Sequence, residues 1–160
     1  MAYYRNKNLN GTVVRFFNTV GPRQTGEYGM VIPRFVEAAL SGEPLKVYGS
    51  GKQTRCFCHV FDTVRALRLL ASCDDTAGRI FNIGATTSIS MEELAALTVK
   101  TLESESEIIR ISYDQAYESG FEDMLHRRPD VTAVNSLTGW TAEIPLEQII
   151  RDVADVQRMN

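Results

Sequence analysis

Three places in this chain could do chemistry: an amide at a strand end, a glycine-rich loop that opens a helix, and two well-separated arginines. Asn18 closes the apolar run of residues 12–18 and is followed by Gly21 and Pro22. Val13, Val14, Phe16 and Phe17 are apolar on both faces, the pattern of a strand buried from both sides, and such strands belong to parallel sheets. Ligands of open α/β sheets gather at the carboxyl ends of the strands, so Asn18 stands where a binding residue would stand. An ordinary core strand with its exit turn is the alternative. The loop 21–29, with Gly21, Gly26 and Gly29, runs directly into a helix expected over residues 30–41. Its backbone N–H groups and those of the helix start would make an anion site directed toward Asn18, unless the loop is a plain connection. Taken alone, Arg55 reads as a surface ion-pair former and Arg127 as a loop charge, with contact to a ligand as the alternative for each.

Composition narrows the ligand. The chain has 160 residues, 44% hydrophobic and 23% charged, which is one globular domain or one lobe of a larger enzyme. A net charge of −3 provides no positive field for nucleic acid or an anionic membrane, so any phosphate must be met by a few placed arginines. The apolar runs are too short to span a bilayer, and Arg5 and Lys7 are not followed by the apolar core of a signal peptide, so a cytoplasmic location is expected. Cys56, Cys58 and Cys73 lack metal-ligand spacing and read as reduced, mostly buried thiols. His59 and His126 have no partner at zinc-site spacing, Asp62 reads as a helix cap, and no metal site is expected.

The elements that must position these residues follow from periodicity and capping. Residues 1–10 read as the end of a helix that has lost its beginning, closed by the stop signal at Asn8 and Gly11. Val31, Ile32, Phe35, Val36, Ala39 and Leu40 form one helix face, with Pro33 in the first turn and Gly42 as the C-terminal cap. Residues 44–51 and 53–60 read as two strands of a hairpin-like excursion that presents Tyr48 and Arg55 near one end. Asp62 would cap a helix packing Val64, Leu67, Leu70 and Ala71 inward, and residues 79–84 read as a short buried strand. Ser90 and Glu93 form a capping box. Residues 107–112 would be an edge strand and 114–128 a long surface loop. Asp130 would cap a short helix ending at Gly139, and Pro145 would start a final amphipathic helix.

Six ordered segments closely resemble one family: Arg15-Phe-Phe-Asn18-Thr-Val-Gly-Pro22, Val31-Ile-Pro-Arg-Phe35, Pro44-Leu-Lys-Val-Tyr48-Gly, Gln53-Thr-Arg55-Cys-Phe-Cys-His-Val60-Phe-Asp62, Phe81-Asn-Ile-Gly84 and Arg127-Arg-Pro-Asp130. It is the extended short-chain dehydrogenase/reductases, specifically the NAD-dependent nucleotide-sugar epimerases and dehydratases related to UDP-glucose 4-epimerase and UDP-glucuronate decarboxylase. The resemblance implies an α/β fold: the C-terminal portion of a Rossmann-type enzyme, with one or few sheet strands plus a mixed α/β substrate-binding lobe. Residues 1–22 would end the NAD-binding domain, and residues 23–160 would form the lobe. By the same resemblance Asn18 would touch the sugar-linked phosphates, Val31 would lie by the nucleotide, and Lys46 and Tyr48 would border the uracil of a UDP-sugar. Arg55 and Arg127 would clamp the diphosphate, and Asp130 would hold the ribose hydroxyls. Phe16, Thr19 and Val20 would approach the nicotinamide end of NAD.

The family's glycine-rich NAD turn is not found after any strand of this sequence. Tyr3 and Lys7 do spell the family's Tyr-x-x-x-Lys pair, but the match is to the end of the helix that carries it, so the true pair is expected upstream of Met1 and no catalytic residue is assigned. NAD is therefore expected in the complete family enzyme and not on this chain alone. The leading reading is the substrate lobe of a UDP-glucose 4-epimerase-like enzyme, inactive by itself. A decarboxylase or dehydratase, a stand-alone nucleotide-sugar binding module, and a lobe that pairs with another chain or a like copy through an exposed sheet edge are the alternatives.

Overall fold

The computed structural model describes residues 2–112 and 124–159. In chain order the described elements are α1 (Ala2–Lys7), β1 (Val13–Phe16), β2 (Thr19–Val20), α2 (Val31–Ser41), β3 (Leu45–Tyr48), β4 (Thr54–Arg55), β5 (Cys58–His59), α3 (Val60–Ala71), β6 (Ile80–Ile83), β7 (Ile89–Ser90), α4 (Met91–Leu102), β8 (Ile108–Ile111), β9 (His126–Arg127), α5 (Thr132–Thr138) and α6 (Leu146–Gln157). The chain divides into two compact units, each assembled from three separate segments. The first comprises Met1–Thr19, Cys56–Thr87 and Arg128–Ile144; the second comprises Val20–Arg55, Ser88–Arg127 and Pro145–Asn160.

In the first unit β1 and β6 pair in parallel, Val13 opposite Ile80 through Phe16 opposite Ile83. The parallel pairing agrees with the sequence pattern, but the expected burial on both faces does not hold. Val13 is 45% and Phe16 51% exposed, because β6 is the one neighbour of β1 among the described residues. Phe81 and Ile83 of β6 are fully buried with Cys58, Ala66, Leu70, Val134 and Trp140. The inward face of α3 is thus Ala66 and Leu70, while Val64 and Ala71, expected to face in, are exposed. α1 ends as the stop signal indicates, with Asn8 rather than Gly11 taking the left-handed position at φ 55°.

Asp62 does not cap α3. The cap is His59, whose Nδ1 accepts from the Phe61 N–H at 3.0 Å, so this histidine has a structural task. Asp62 is buried in the first turn of the helix, where its Oδ2 accepts from the N–H groups of Glu143 and Ile144 at 3.0 and 2.9 Å. Its Oδ1 accepts from Arg65 at 2.8 Å, the chief reason the Arg65 guanidinium holds its proton more tightly than usual.

In the second unit α2, α4 and α6 pack on one another through Ile32, Phe35, Val36, Leu94, Ala95, Ile149, Ile150 and Val153, all buried. The capping box forms as the sequence requires: Ser90 Oγ accepts from the Glu93 N–H at 3.2 Å, and Glu93 Oε2 accepts from the Ser90 N–H at 2.9 Å. The expected hairpin does not form. β3 pairs in parallel with β8, and β4 lies between β7 (antiparallel) and β9 (parallel). Left-handed turns at Gly49 and Gly51 redirect the chain after β3, and the Gly49 N–H continues the β3 ladder by donating to Ile111 O at 2.8 Å. Arg127, expected in a loop, is therefore a strand residue; positions 114–123 of that expected loop lie outside the described residues.

Candidate functional site

Strand alternation sets the first group of residues. Leu45 and Val47 are buried, so Lys46 and Tyr48 share the opposite face of β3. They line a cleft of about 320 Å³ with Val31, Arg34, Ala38 and Ser41 of α2. α2 has its apolar stripe turned into the core, Pro33 in its first turn and Gly42 closing it at φ 74°. Residues 31, 34 and 38 then fall on one face by helical spacing. Arg34, missed by the sequence reading, donates from Nη2 to the Tyr48 hydroxyl at 3.2 Å, and its guanidinium carbon is 5.8 Å from the centre of the Tyr48 ring. The signal was its position one turn after Val31.

The second group is the arginine pair. Arg55 of β4 is the register partner of Arg127 of β9, as Thr54 is of His126, so both guanidinium stems leave the same face of the β7–β4–β9 sheet. Arg55 Nη1 donates to Thr54 O and Met124 O, both at 2.8 Å, which fixes its stem. Thr54 Oγ1 and His126 Nδ1 are 3.0 Å apart. An anion that accepts from both forks at once would be held by charge-assisted hydrogen bonds.

Asn18, Asp130, Phe16 and Thr19 belong to the first unit, and Val20 to the second. Asn18, just past β1, has a left-handed backbone at φ 35°, uncommon for a residue with a side chain. Its Nδ2 donates to Cys56 O at 2.9 Å and its carbonyl accepts from the Cys58 N–H at 3.1 Å. Asp130 Oδ1 accepts from the Thr132 N–H at 2.9 Å. The hydroxyl of Thr132 and then its N–H hold the carboxyl below the usual aspartate range. The Asp130 carbonyl accepts from Asn82 Nδ2 at 2.9 Å.

Of the residues expected near NAD, Phe16 presents an exposed ring, Thr19 Oγ1 lies 3.3 Å from Thr63 Oγ1, and Val20 is 5% exposed. One ring, one shared hydroxyl and one buried aliphatic chain supply no charge or backbone cradle for a pyrophosphate, so these three do not by themselves fit the dinucleotide. Tyr3 and Lys7 lie one turn apart on α1, but Lys7 is its last residue and Tyr3 is 71% exposed. Among the described residues no cluster of three His, Cys, Asp or Glu could hold a metal, no disulfide joins Cys56, Cys58 and Cys73, and no helix is long and apolar enough to cross a membrane.

Residues 1–84 match the model of the NAD dependent epimerase/dehydratase family. A UDP-N-acetyl-alpha-D-glucosaminuronate decarboxylase of Bacillus cytotoxicus is 40% identical over 151 residues, 93% of this chain and 46% of that protein. The solved structure of MoeE5 in complex with UDP-glucuronic acid and NAD superposes with a TM-score of 0.77 at 33% identity, covering 91% of this chain and 46% of that one. A UDP-glucose 4-epimerase with UDP-glucose from Thermotoga maritima gives a TM-score of 0.84 at 28% identity, covering 98% and 48%. The fold is thus that of the Rossmann-type epimerases, and the chain spans less than half the length of these relatives.

Proposed function

The chain belongs to the NAD dependent epimerase/dehydratase family, and on that footing we propose that residues 1–160 form the nucleotide-sugar-binding portion of such an enzyme, with a UDP-sugar as ligand. The observation that carries the proposal is the register pairing of Arg55 with Arg127. Both side chains leave one sheet face, and two guanidinium forks so placed match the two charges of a diphosphate. Val31, Lys46 and Tyr48 border the base in the cleft beside α2, an aromatic face covering a flat ring. Asn18 contacts the sugar-linked phosphates, and the exposed carboxylate of Asp130 accepts from paired ribose hydroxyls.

In the complete family enzyme hydride passes between sugar and NAD. We assign no residue of this chain to that step and expect none of it from residues 1–160 alone; Phe16, Thr19 and Val20 border only the nicotinamide end of the cofactor. The reaction is read as epimerisation of a UDP-sugar. Decarboxylation is the second reading, favoured by the 33–40% identity to several proteins named as UDP-sugar acid decarboxylases. A binding module without turnover is the third. We place the protein in the cytoplasm, with residues 23–160 as the substrate lobe, and take the free edge of β1 as a surface for self-association.

Calorimetry with UDP and UDP-sugars tests the proposal. The parent is expected to bind, and Arg127→Ala to weaken binding about tenfold or more, the worth of a charge-assisted hydrogen bond. Absence of binding, or Arg55→Ala and Arg127→Ala variants indistinguishable from the parent, would sink it. An NAD titration separates the enzyme from the module: tight NAD binding with epimerase turnover would overturn the assignment of the hydride step to other residues.

A further inference from the structure

We propose that Arg34 is the positioning residue for Tyr48 in the cleft of the second unit, and that Gly26 leaves room for the Arg34 stem. The inference rests on the reading of that cleft as the base site. Tyr48 is the last residue of β3, and its side chain lines the cleft beside α2. Arg34 reaches across from α2 and holds the ring at its hydroxyl edge through the 3.2 Å hydrogen bond, its guanidinium carbon 5.8 Å from the ring centre, at the outer limit of cation–π range. A ring fixed before the ligand arrives spares the ordering cost of fixing it on binding.

Gly26 supplies an independent observation. Its φ of −75° is open to any residue, so backbone conformation does not call for glycine there. Space does: a Cβ at position 26 would stand 3.1 Å from Arg34 Cγ and 3.6 Å from Glu37 Oε2. The glycine-rich loop therefore acts on the cleft by leaving room for a side chain, a role different from the phosphate cradle its sequence suggests.

The test compares UDP with inorganic pyrophosphate by calorimetry on the intact chain. Arg34→Met is expected to weaken UDP binding about three- to tenfold, the scale of one cation–π contact plus one immobilised side chain, and to leave pyrophosphate affinity and the thermal midpoint unchanged. Arg34→Lys, which keeps the cation without the fork, recovers part of the loss. In a Tyr48→Ala background Arg34→Met has no further effect. Gly26→Ala shifts UDP affinity in the same direction by less. Unchanged UDP affinity in Arg34→Met, or equal losses for UDP and pyrophosphate, overturns the inference while the base site stands. A parent that binds UDP no more tightly than pyrophosphate overturns the base site itself, and the role of Arg34 falls with it.

Discussion

Removing the Asp62 carboxylate is the sharpest test of how the segment bearing Asp130 is held. Its side chain is 3% exposed and accepts three hydrogen bonds: from Arg65, and from the N–H groups of Glu143 and Ile144. Asp62→Ala leaves the two backbone donors unpaired at about 1–3 kcal/mol each. Arg65 loses less, since its guanidinium is 36% exposed and keeps Glu143 at 3.1 Å. The sum is a loss of about 3 kcal/mol, more than a hundredfold in the folding equilibrium. Asp62→Asn, which retains one carbonyl oxygen, should lose roughly half as much. Urea unfolding measures both, with the midpoint moving and the slope unchanged. Trp140, the one tryptophan, is a built-in probe because its Nε1 donates to the Asp62 carbonyl at 3.0 Å, so its fluorescence should report the loosening. A loss below about 1 kcal/mol for Asp62→Ala, on the scale of an exposed ion pair, would refute this account of the segment.

Ser90→Ala removes the cap of α4 and should cost about 1 kcal/mol in denaturant unfolding, with Ser90→Thr nearly neutral. Hydrogen bonds from the Ser90 N–H and then its hydroxyl hold Glu93 below its ordinary value near 4.5. The stability it contributes is therefore fully present above that value and is lost as pH falls through the lower folded value, so the advantage of the parent over Glu93→Gln should shrink toward zero on acidification. Thr132→Val removes the hydroxyl that most lowers the Asp130 pKa, and an NMR titration should find that carboxyl closer to its ordinary value. Self-association through the exposed edge of β1 should appear in light scattering and be suppressed by Phe16→Lys; a parent that stays monomeric at high concentration rules that surface out.

What the sequence made legible was local. The capping box is a signal between residues three apart, the helix ends at Gly42 and Gly139 are single left-handed positions, and the inward stripe of α2 is a matter of spacing. What it hid depends on partners far along the chain. The hairpin looked sound because two strand-like runs flank a glycine turn, yet β3 takes its partner from residues 108–111 and β4 from residues 126–127. Asp62 stands where a cap could stand, and only the N–H groups of Glu143 and Ile144 reveal its use. Arg55 and Arg127 were joined as a clamp only by resemblance to a family; their register pairing is a property of the sheet. Arg34 was passed over because nothing in a helix pattern says which strand residue its side chain will meet.

The interleaving of the two compact units has a consequence for how this chain can be cut or recombined. Each unit draws on the beginning, the middle and the later part of the sequence. No single stretch of chain therefore carries either one, and a deletion that passes residue 19 from the front or residue 145 from the back removes pieces of both. Fragment complementation with two contiguous halves would have to rebuild both units at once, so it should succeed together for both or fail together. Modular inheritance, in which one unit is exchanged while the other is kept, is closed to a chain threaded in this way; the candidate residues carried on the two units must change as linked parts of one continuous sequence.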